Sequence, residues 1–433
     1  MSVTLAALAL LAVFLLLLVL SVPISVAIAI SSIVTALFFL TWEQVVFIVM
    51  QKMNSGLDSF SLIAVPLFIL AGNIMNNGGI AGRLIDLAQV IAGRIPGSLA
   101  QTNVIGNMIF GSLSGSAVAA AAAIGGTLHG REKDEGYDPA FATSVNIASA
   151  PTGLLIPPTT AFIVYSMIAG GVSVSALFMA GYVPGILMGL VTMAIAYVHA
   201  RKAGYPTSPR PSLAEAGRVT LRAIPSLLLI VVVVGGIVAG VFTATEGAAV
   251  AVLYCLVLSL IYRSMSWSAF KEVLLATAAT SGIILFLISA SSALSWVMAY
   301  TGIPDAISAA VLSVSGSTYV VYLLMVVVLL VVGTFMDITP AILIFTPIFL
   351  PMATELGMDP VHFGVVLVFS MCIGTMTPPV GSVLFVACSI SGVTIEQVTR
   401  RLIPYLVALV ALLLVVTYVP ALSTGLPSLM GLM

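Results

Sequence analysis

Long runs of apolar residues, separated by short polar segments, extend over almost the whole chain. About 20 consecutive apolar residues span the hydrocarbon core of a membrane as an α-helix. We therefore predict an all-α polytopic membrane protein with five membrane crossings in each half. The predicted crossings are 4–21, 23–41, 59–77, 139–170 and 172–198 in the first half, and 223–241, 245–262, 273–300, 361–391 and 403–422 in the second.

Two further apolar stretches, 98–128 and 318–350, are interrupted near the middle by small and polar residues. We interpret each as a re-entrant helical hairpin, which returns to the side of the membrane from which it entered. Each half then crosses the membrane an odd number of times, so the second half is inverted relative to the first. If either hairpin crossed fully, the inversion would be lost. Two shorter segments, 80–93 and 303–315, have amphipathic spacing and are predicted to lie at the membrane surface or against the protein.

The two halves of the chain carry matching landmarks. Pro157 and Pro158 recur 221 positions later as Pro378 and Pro379, together with the residues around them. Because prolines break a membrane helix, each half contains one broken crossing, and paired broken helices in a duplicated chain point to a transporter's binding site. We predict two inverted-topology repeats. The boundaries are 1–200 for the first repeat, 201–222 for a cytoplasmic linker, 223–433 for the second repeat, and 139–170 and 361–391 for the broken crossings.

The composition excludes a water-exposed globular fold. The chain is 61% hydrophobic and 7% charged, whereas soluble domains carry about 25% charged residues. Its net charge is −1 and it has no long basic tract, so nucleic acid is not an expected partner. Membrane lipid is the expected environment.

The positions of Lys and Arg predict the orientation, because cytoplasmic loops carry an excess of these residues. If the first hairpin opens to the cytoplasm, thirteen of the fourteen basic residues lie on that side, and Lys52 is the exception. Both termini then lie outside, which is the periplasmic face if the source is a Gram-negative bacterium. The linker contributes Arg201, Lys202, Arg210, Arg218 and Arg222 to the cytoplasmic set.

The first hairpin carries Ser112, Ser114 and Ser116 around Gly115. Glycine allows a tight turn, and hydroxyl and carbonyl oxygens are ligands for hard cations. Non-helical backbone at membrane depth persists only where it is buried in protein or lines a wet cavity. The alternative is that these small residues only allow helices to pack closely.

The second hairpin places Asp337 deep in apolar sequence. A carboxylate there costs on the order of 2.5–3.5 kcal/mol on insertion scales, so it normally faces a cation, a partner or water. We predict that Asp337 is a site residue. The alternative is that it caps the helix containing Pro340, and one residue can do both. The equivalent position in the first repeat is Gly115 or Ser116, so the symmetry is broken here.

Each proline pair frees backbone carbonyls upstream of the break. Freed carbonyls beside hydroxyl groups suit Na⁺, whereas the N-termini of half-helices carry about +0.5 charge and suit an anion. Neither the hairpin tips nor the breaks contain Lys or Arg. An anionic substrate would therefore be held by helix N-termini, hydroxyls and sodium ions. The alternative for either break is a proline kink without ligands.

Five segments together resemble the large membrane subunit (M subunit, DctM-like) of tripartite ATP-independent periplasmic (TRAP) transporters, and their order agrees over essentially the whole chain. The segments are GSLSGSAVAAAAAIGG at 111–126, PTGLLIPPTTAFIVYSMIAGG at 151–171, GVFTATEGAAVAVLY at 240–254, GTFMDITPAILIFTPIFLP at 333–351 and GTMTPPVGSVLFVA at 374–387.

The resemblance implies a secondary active, Na⁺-coupled carrier of the elevator type and not an enzyme. Its mobile domain would comprise the hairpins and broken helices, and the remaining helices would form a scaffold. The resemblance implies uptake of an organic acid (a C4-dicarboxylate, sialic acid, or another sugar or keto acid) from a periplasmic substrate-binding protein. It implies a small four-helix membrane subunit, expected as a separate chain, and no organic cofactor. A single-component Na⁺/dicarboxylate symporter of a related superfamily is the alternative.

Carried onto this sequence, the resemblance implies two sodium sites and a substrate site between the hairpin tips. The expected sodium ligands are Ser112, Ser114, Gly115 and Gly153 at one site, and Gly333, Asp337, Gly374 and Thr377 at the other. The expected substrate contacts are Ser116, Pro157, Pro158, Asp337, Thr377, Pro378 and Pro379.

Overall fold

The computed structural model describes residues 3–208, 211–314 and 317–433, and these residues form helices and no strand. Arg210 of the predicted linker and residue 315 of the predicted surface segment lie outside the described residues. The helices of the first half are α1 (Val3–Val19), α2 (Ile24–Leu37), α3 (Trp42–Ser55), α4 (Ala64–Asn77), α5 (Ile80–Ala92), α6 (Ser98–Ser114), α7 (Ala117–Asp134), α8 (Pro139–Ser149), α9 (Thr152–Leu155), α10 (Thr160–Ile168) and α11 (Val174–Ala203).

The second half begins with two long helices and repeats the order of short ones. Its helices are α12 (Leu213–Val238), α13 (Ala244–Tyr262), α14 (Trp267–Thr301), α15 (Ile303–Val314), α16 (Thr318–Gly333), α17 (Ile338–Glu355), α18 (Pro360–Gly374), α19 (Ser382–Ser391), α20 (Ile395–Tyr418) and α21 (Ala421–Leu429).

Each predicted hairpin is a pair of helices joined by a short turn: α6 and α7 in the first half, and α16 and α17 in the second. Each predicted broken crossing starts at an aspartate followed by a proline. Asp138 Oδ1 accepts the Ala140 N–H at 3.1 Å, and Asp359 Oδ1 accepts the Val361 N–H at 2.7 Å. The aspartate caps the helix, and the proline at the first helical position needs no hydrogen-bond partner for a backbone N–H.

Seven segments of the described chain are long and apolar enough to cross a membrane, and the bent pair formed by α8–α9 and α10 is an eighth candidate. The prediction of a multi-pass membrane protein is confirmed, whereas the count of ten crossings stays a prediction. The difference arises because α1, α2 and α18 have 17, 14 and 15 residues, whereas α17 is long enough to span although it was predicted to be one limb of a hairpin.

Helix extends into the predicted linker from both sides, because α11 ends at Ala203 and α12 begins at Leu213. Gly204 ends α11 in a left-handed conformation, and Ser212 caps α12 by accepting the Glu215 N–H at 3.1 Å. The connection is attached to the start of α6. The Ser208 N–H donates to Gly93 O at 2.9 Å, and the Ser208 hydroxyl donates to Ser98 Oγ at 2.9 Å.

The helices pack as two groups. In one, α11 contacts α6, α8, α9 and α10 of the first half and α18, α20 and α21 of the second, and α19 packs on α7 and α8. In the other, α4 packs on α13 and α14, and α2 packs on α1, α3 and α14. The groups meet where α4 contacts α6 and α10 and where α14 contacts α17. Both hairpins and both broken crossings therefore belong to the first group.

Candidate functional site

The tip of the first hairpin is a tight turn between α6 and α7. Gly115 follows the last residue of α6 with φ 62°, a left-handed conformation that glycine adopts without strain. Ser116 is extended and caps α7, because its Oγ accepts the Ala119 N–H at 3.2 Å. The Ser114 hydroxyl lies 3.4 Å from the carbonyl oxygens of both Gly111 and Ser116. Three oxygens and the N-terminus of a helix therefore meet at this tip.

The first broken crossing passes directly beside this tip. Its prolines, Pro157 and Pro158, are joined by a cis peptide bond between α9 and α10, which are bent by 48°. A Cβ placed on Gly115 would lie 3.8 Å from Pro158 O and 3.7 Å from Thr160 N. The break therefore lies close enough to the tip for a single added methyl group to reach it.

The tip of the second hairpin carries Asp337. This residue occupies the N-cap position of α17, yet its carboxylate makes no capping hydrogen bond. Its side chain is exposed, and it lines a cavity inside the protein. The capping alternative is therefore not supported by the expected bond, and the carboxylate is available to a ligand.

The second broken crossing repeats the geometry of the first. Pro378 and Pro379 form its cis peptide bond, and the Gly381 N–H donates to Thr334 O at the hairpin tip (3.2 Å). At each contact between a hairpin and its broken crossing, one pair of glycines faces each other. A Cβ on Gly153 would lie 2.3 Å from the Gly111 Cα, and a Cβ on Gly374 would lie 2.4 Å from the Gly333 Cα. Only glycine allows these backbones to approach so closely.

A cavity of about 260 Å³ lies between the two hairpin tips and the facing helices α4 and α14. Small-molecule sites are commonly about 300–1,000 Å³, so this volume suits a small ligand. The first turns of α7 and α17 both open on it. Its lining residues are Ile69, Gly72, Asn73, Ser114, Gly115, Ser116, Ala117, Val118, Ala119, Leu154, Thr160, Thr280, Ile284, Asp337, Ile338, Thr339, Thr375 and Ser382.

The structure brings four of the predicted site residues to this cavity, from both hairpins: Ser114, Gly115, Ser116 and Asp337. The other predicted residues do not line it. Among them, the Ser112 hydroxyl is buried and donates to Ile109 O at 2.8 Å, and the Thr377 hydroxyl donates to Ile373 O at 2.6 Å. The predicted residues that do not line the cavity are Ser112, Gly153, Pro157, Pro158, Gly333, Gly374, Thr377, Pro378 and Pro379.

Sequence reasoning missed the polar residues that complete the wall. Asn73 on α4 and Thr280 on α14 come from the second group of helices, and the Asn73 amide donates to Thr277 Oγ1 at 2.9 Å. Thr375 and Ser382 flank the second break. A polar side chain within an apolar helix is a signal for such positions, but the sequence alone does not pair helices that are about 200 residues apart.

A buried polar network, also missed, joins the first hairpin to its broken crossing. The Asn107 Nδ2 lies within hydrogen-bond distance of Asn103 Oδ1 (2.8 Å), Asn146 Oδ1 (3.0 Å) and Ser149 Oγ (2.8 Å). At the end of the network, the Asn103 amide donates to the Glu132 carboxylate at 3.4 Å. Glu132 is 3% exposed, and it lies beyond the predicted membrane hairpin.

The chemistry of the cavity is that of oxygen ligands and helix N-termini. Among its described lining residues Asp337 is the only charged side chain, accompanied by serine and threonine hydroxyls. The described residues contain no group of three or more His, Cys, Asp or Glu placed to hold a metal ion. One carboxylate with neutral oxygens fits a hard monovalent cation better than a transition metal. The N-termini of α7 and α17 can bind an anion at the same place.

The comparisons with known proteins identify the family of the chain. The family described as "Tripartite ATP-independent periplasmic transporter, DctM component" matches residues 11–422. The chain belongs to the DctM family. The membership confirms the resemblance stated above and shows a transport permease rather than an enzyme.

Relatives within the DctM family match over nearly their full length. The uncharacterized protein YgiK of Salmonella typhimurium is 49% identical over 416 residues, which are 96% of each chain. The C4-dicarboxylate TRAP transporter large permease protein DctM of Pseudomonas aeruginosa is 39% identical over 88% of this chain and 89% of its own. The crystal structure of the Alcanivorax borkumensis YdaH transporter has the same fold, with a TM-score of 0.64 at 14% identity over 89% of this chain and 90% of that chain.

Proposed function

We propose that this chain is the large membrane subunit of a Na⁺-driven carrier that imports an organic acid across the bacterial inner membrane. A periplasmic substrate-binding protein would deliver the acid, and a small four-helix membrane subunit would complete the complex. The observation that carries the proposal is the cavity of about 260 Å³, where the tips of both hairpins meet beside two helix N-termini. Family membership supports the tripartite assembly.

The sodium sites are proposed at the two hairpin tips. At the first, Ser114 Oγ lies 3.4 Å from the carbonyl oxygens of Gly111 and Ser116. Such spacing is expected between neighbouring ligands of a hard cation bound at about 2.3–2.6 Å. At the second, the uncapped carboxylate of Asp337 supplies a full negative charge. Gly153 and Gly374 stay proposals as carbonyl ligands because they lie against Gly111 and Gly333 of the hairpins, and Thr377 stays a proposal close to Gly374 in sequence.

The substrate is proposed to lie between Ser116 and Asp337, with its carboxylate on the N-terminus of α7. No Lys or Arg lines the cavity among the described residues, so the bound Na⁺ ions and the helix N-termini would offset the substrate's charge. Substrate affinity would then depend on Na⁺, which is the coupling that a symporter needs.

The proposed mechanism is an elevator built on two inverted repeats. The repeats are supported by the matched glycine contacts, cis-proline breaks and helix order of the two halves. The moving body would be the group containing α6–α11 and α16–α21, because these helices pack on one another and meet α4 and α14 at the cavity. α5 and α15 would connect this body to the scaffold of α1–α4 and α12–α14.

The test is uptake in proteoliposomes under an imposed Na⁺ gradient, against a panel of organic acids, with binding protein and small subunit supplied. Asp337→Ala should abolish Na⁺-driven uptake while the protein stays folded, because the second cation loses its only charged ligand. Asp305→Ala, an exposed acid on α15, is the matched control and should transport normally.

Two results would count against the proposal. Uptake by Asp337→Ala at the wild-type rate would remove the residue from the site. Robust transport by this chain without binding protein and small subunit would favour the alternative of a single-component symporter.

A further inference from the structure

A second cavity lies between α11 and α20, and it shares no lining residue with the proposed substrate site. Its volume is about 420 Å³, and five of its lining residues form one face of α11, with Pro404 of α20 opposite. Its lining residues are Ala194, Ile195, Val198, His199, Lys202 and Pro404.

The groove is apolar at one end and polar at the other. Ala194, Ile195 and Val198 make its deeper part apolar, whereas His199 and Lys202 make its end polar within the last two turns of α11. Because α11 is a candidate membrane span that ends at Ala203, the polar end lies where the helix leaves the membrane. The apolar part therefore lies at hydrocarbon depth, and the polar part at the depth of lipid headgroups.

Positive charge is concentrated at the polar end. Arg201 and Lys202 end α11, and Arg400 and Arg401 lie in the second turn of α20. Arg401 makes an ion pair with Asp138 at 2.8 Å, the only ion pair found among the described residues. Glu396, one turn before Arg400, is the other carboxylate nearby in the sequence of these helices. Of the four cations, Lys202 lines the groove, and Arg400 lies one helical turn before Pro404, which lines it from α20. The ends of the two helices that form the groove therefore carry more cations than carboxylates.

We infer that this groove binds an anionic phospholipid, with the phosphate between Lys202 and Arg400 and an acyl chain along Ala194 and Val198. Basic pockets between membrane helices on the cytoplasmic side are suited to anionic headgroups. The orientation predicted from Lys and Arg places this end on the cytoplasmic side. A free phosphate would use the cations but not the apolar length of the groove, which is why we commit to a lipid.

The bound lipid would act on the first broken crossing. The His199 ring stacks on Phe141 of α8 with ring centroids 4.1 Å apart, and Arg401 is paired with the residue that caps α8. A phosphate at the groove end would therefore stabilise the contact among α8, α11 and α20. The inference does not depend on which substrate the cavity holds.

The test measures thermal unfolding of the purified full-length chain in detergent with added phosphatidylglycerol, phosphatidylcholine or inorganic phosphate. Phosphatidylglycerol should raise the midpoint by several degrees, and the other two should not. The double variant Lys202→Gln/Arg400→Gln should lose the shift. Arg218→Gln/Arg222→Gln on α12 removes two charges outside the groove and should keep it.

A third variant tests the apolar part separately. Ala194→Trp leaves the charges intact but fills the groove at an exposed position, so it should also lose the phosphatidylglycerol shift. An equal shift with phosphatidylcholine or with inorganic phosphate would overturn the inference. So would an unchanged phosphatidylglycerol shift in the Lys202→Gln/Arg400→Gln protein.

Discussion

The two hairpins make the same contact with their broken crossings but support it differently. Counting back from the paired glycines, Asn103 and Asn107 of α6 correspond to Met325 and Leu329 of α16. The first pair belongs to a buried amide network, whereas the second pair is buried among apolar side chains. The first hairpin is therefore joined to its break by buried side-chain amide bonds, whereas the second is joined by apolar packing and by the backbone bond from Gly381 N–H to Thr334 O.

The two hairpins therefore share one backbone arrangement but differ in the interactions that hold it in place. Hydrogen bonds between buried amides hold one register, because any shift leaves polar groups unpaired. Apolar contacts tolerate a small shift at a lower cost. The tips differ in the same sense, since Ser116 caps α7 and Asp337 leaves α17 uncapped. The first hairpin is thus the more rigid part, and the second offers the free charge.

The largest effect is expected where the backbones touch. Gly153→Ala and Gly374→Ala would each place a Cβ less than 2.5 Å from the opposing glycine, so the hairpin and the break must separate. We expect both variants to lose most folded protein, and Gly374→Ala to retain more, because apolar packing can adjust. Fluorescence-detected size-exclusion chromatography measures this directly. Gly126→Ala, which meets nothing within 4 Å, is the control, and equal behaviour of Gly153→Ala and this control would contradict the comparison.

The second effect is a pH dependence confined to the first hairpin. Burial raises the pKa of Glu132 to about 7, with a smaller upward contribution from Glu135 and a downward one from the Asn103 amide. Counting from the helix starts, its counterpart in α17 is Ala353, which does not titrate. The folded state keeps the proton up to about pH 7, whereas an ordinary glutamate releases it near 4.5. Stability should therefore fall as pH rises between these values, by on the order of 3 kcal/mol in total.

Glu132→Gln should remove this slope, since an amide fits the network without a charge. Unfolding midpoints between pH 4.5 and pH 8 provide the measurement, and Glu272→Gln, at an exposed position of α14, should keep the wild-type slope. A Glu132→Gln protein with the same pH dependence as wild type would show that the carboxyl is ionised in the fold.

The smallest effect is expected from substitutions that replace the buried amide of one hairpin by the apolar side chain of the other, and the reverse. Asn107→Leu leaves the acceptor groups of Asn146 and Ser149 without their donor, which should cost about 1–3 kcal/mol. Leu329→Asn buries an amide without a partner and should cost a similar amount. Thr127→Val, whose hydroxyl bonds only to the Ala123 carbonyl of its own helix, is the control for both. Chemical unfolding in detergent ranks them, and a neutral Asn107→Leu would mean that the network holds no register.

The features predicted correctly from the sequence are those that depend only on residues close together in the chain. The turn at Gly115 and the breaks at the proline pairs depend on neighbouring residues only, and the structure has each of them. The bounds of the two repeats stay predictions. The elevator mechanism and the inverted orientation of the repeats stay predictions.

Features that depend on packing between helices far apart in the sequence could not be predicted from local patterns. Asn73 and Thr280 reach the cavity only because α4 packs on α14, and no local pattern pairs these helices. The resemblance implied carbonyl ligands around Gly374 and Thr377, and this stays a prediction; Thr375 and Ser382 are the residues beside this break that line the cavity. Proximity in sequence to a break therefore located the region but not the direction of each side chain.

The described part of the connection between the two halves, up to Ser208, is held in place by hydrogen bonds. Through Ser208 it is bonded to Gly93 and Ser98, on either side of the entrance to α6. A tag inserted at 206 or 207 would therefore disturb the hydrogen bonds at the start of α6, the first helix of the first hairpin. Genetic fusions that aim to report on this carrier without disturbing it belong at the chain ends instead.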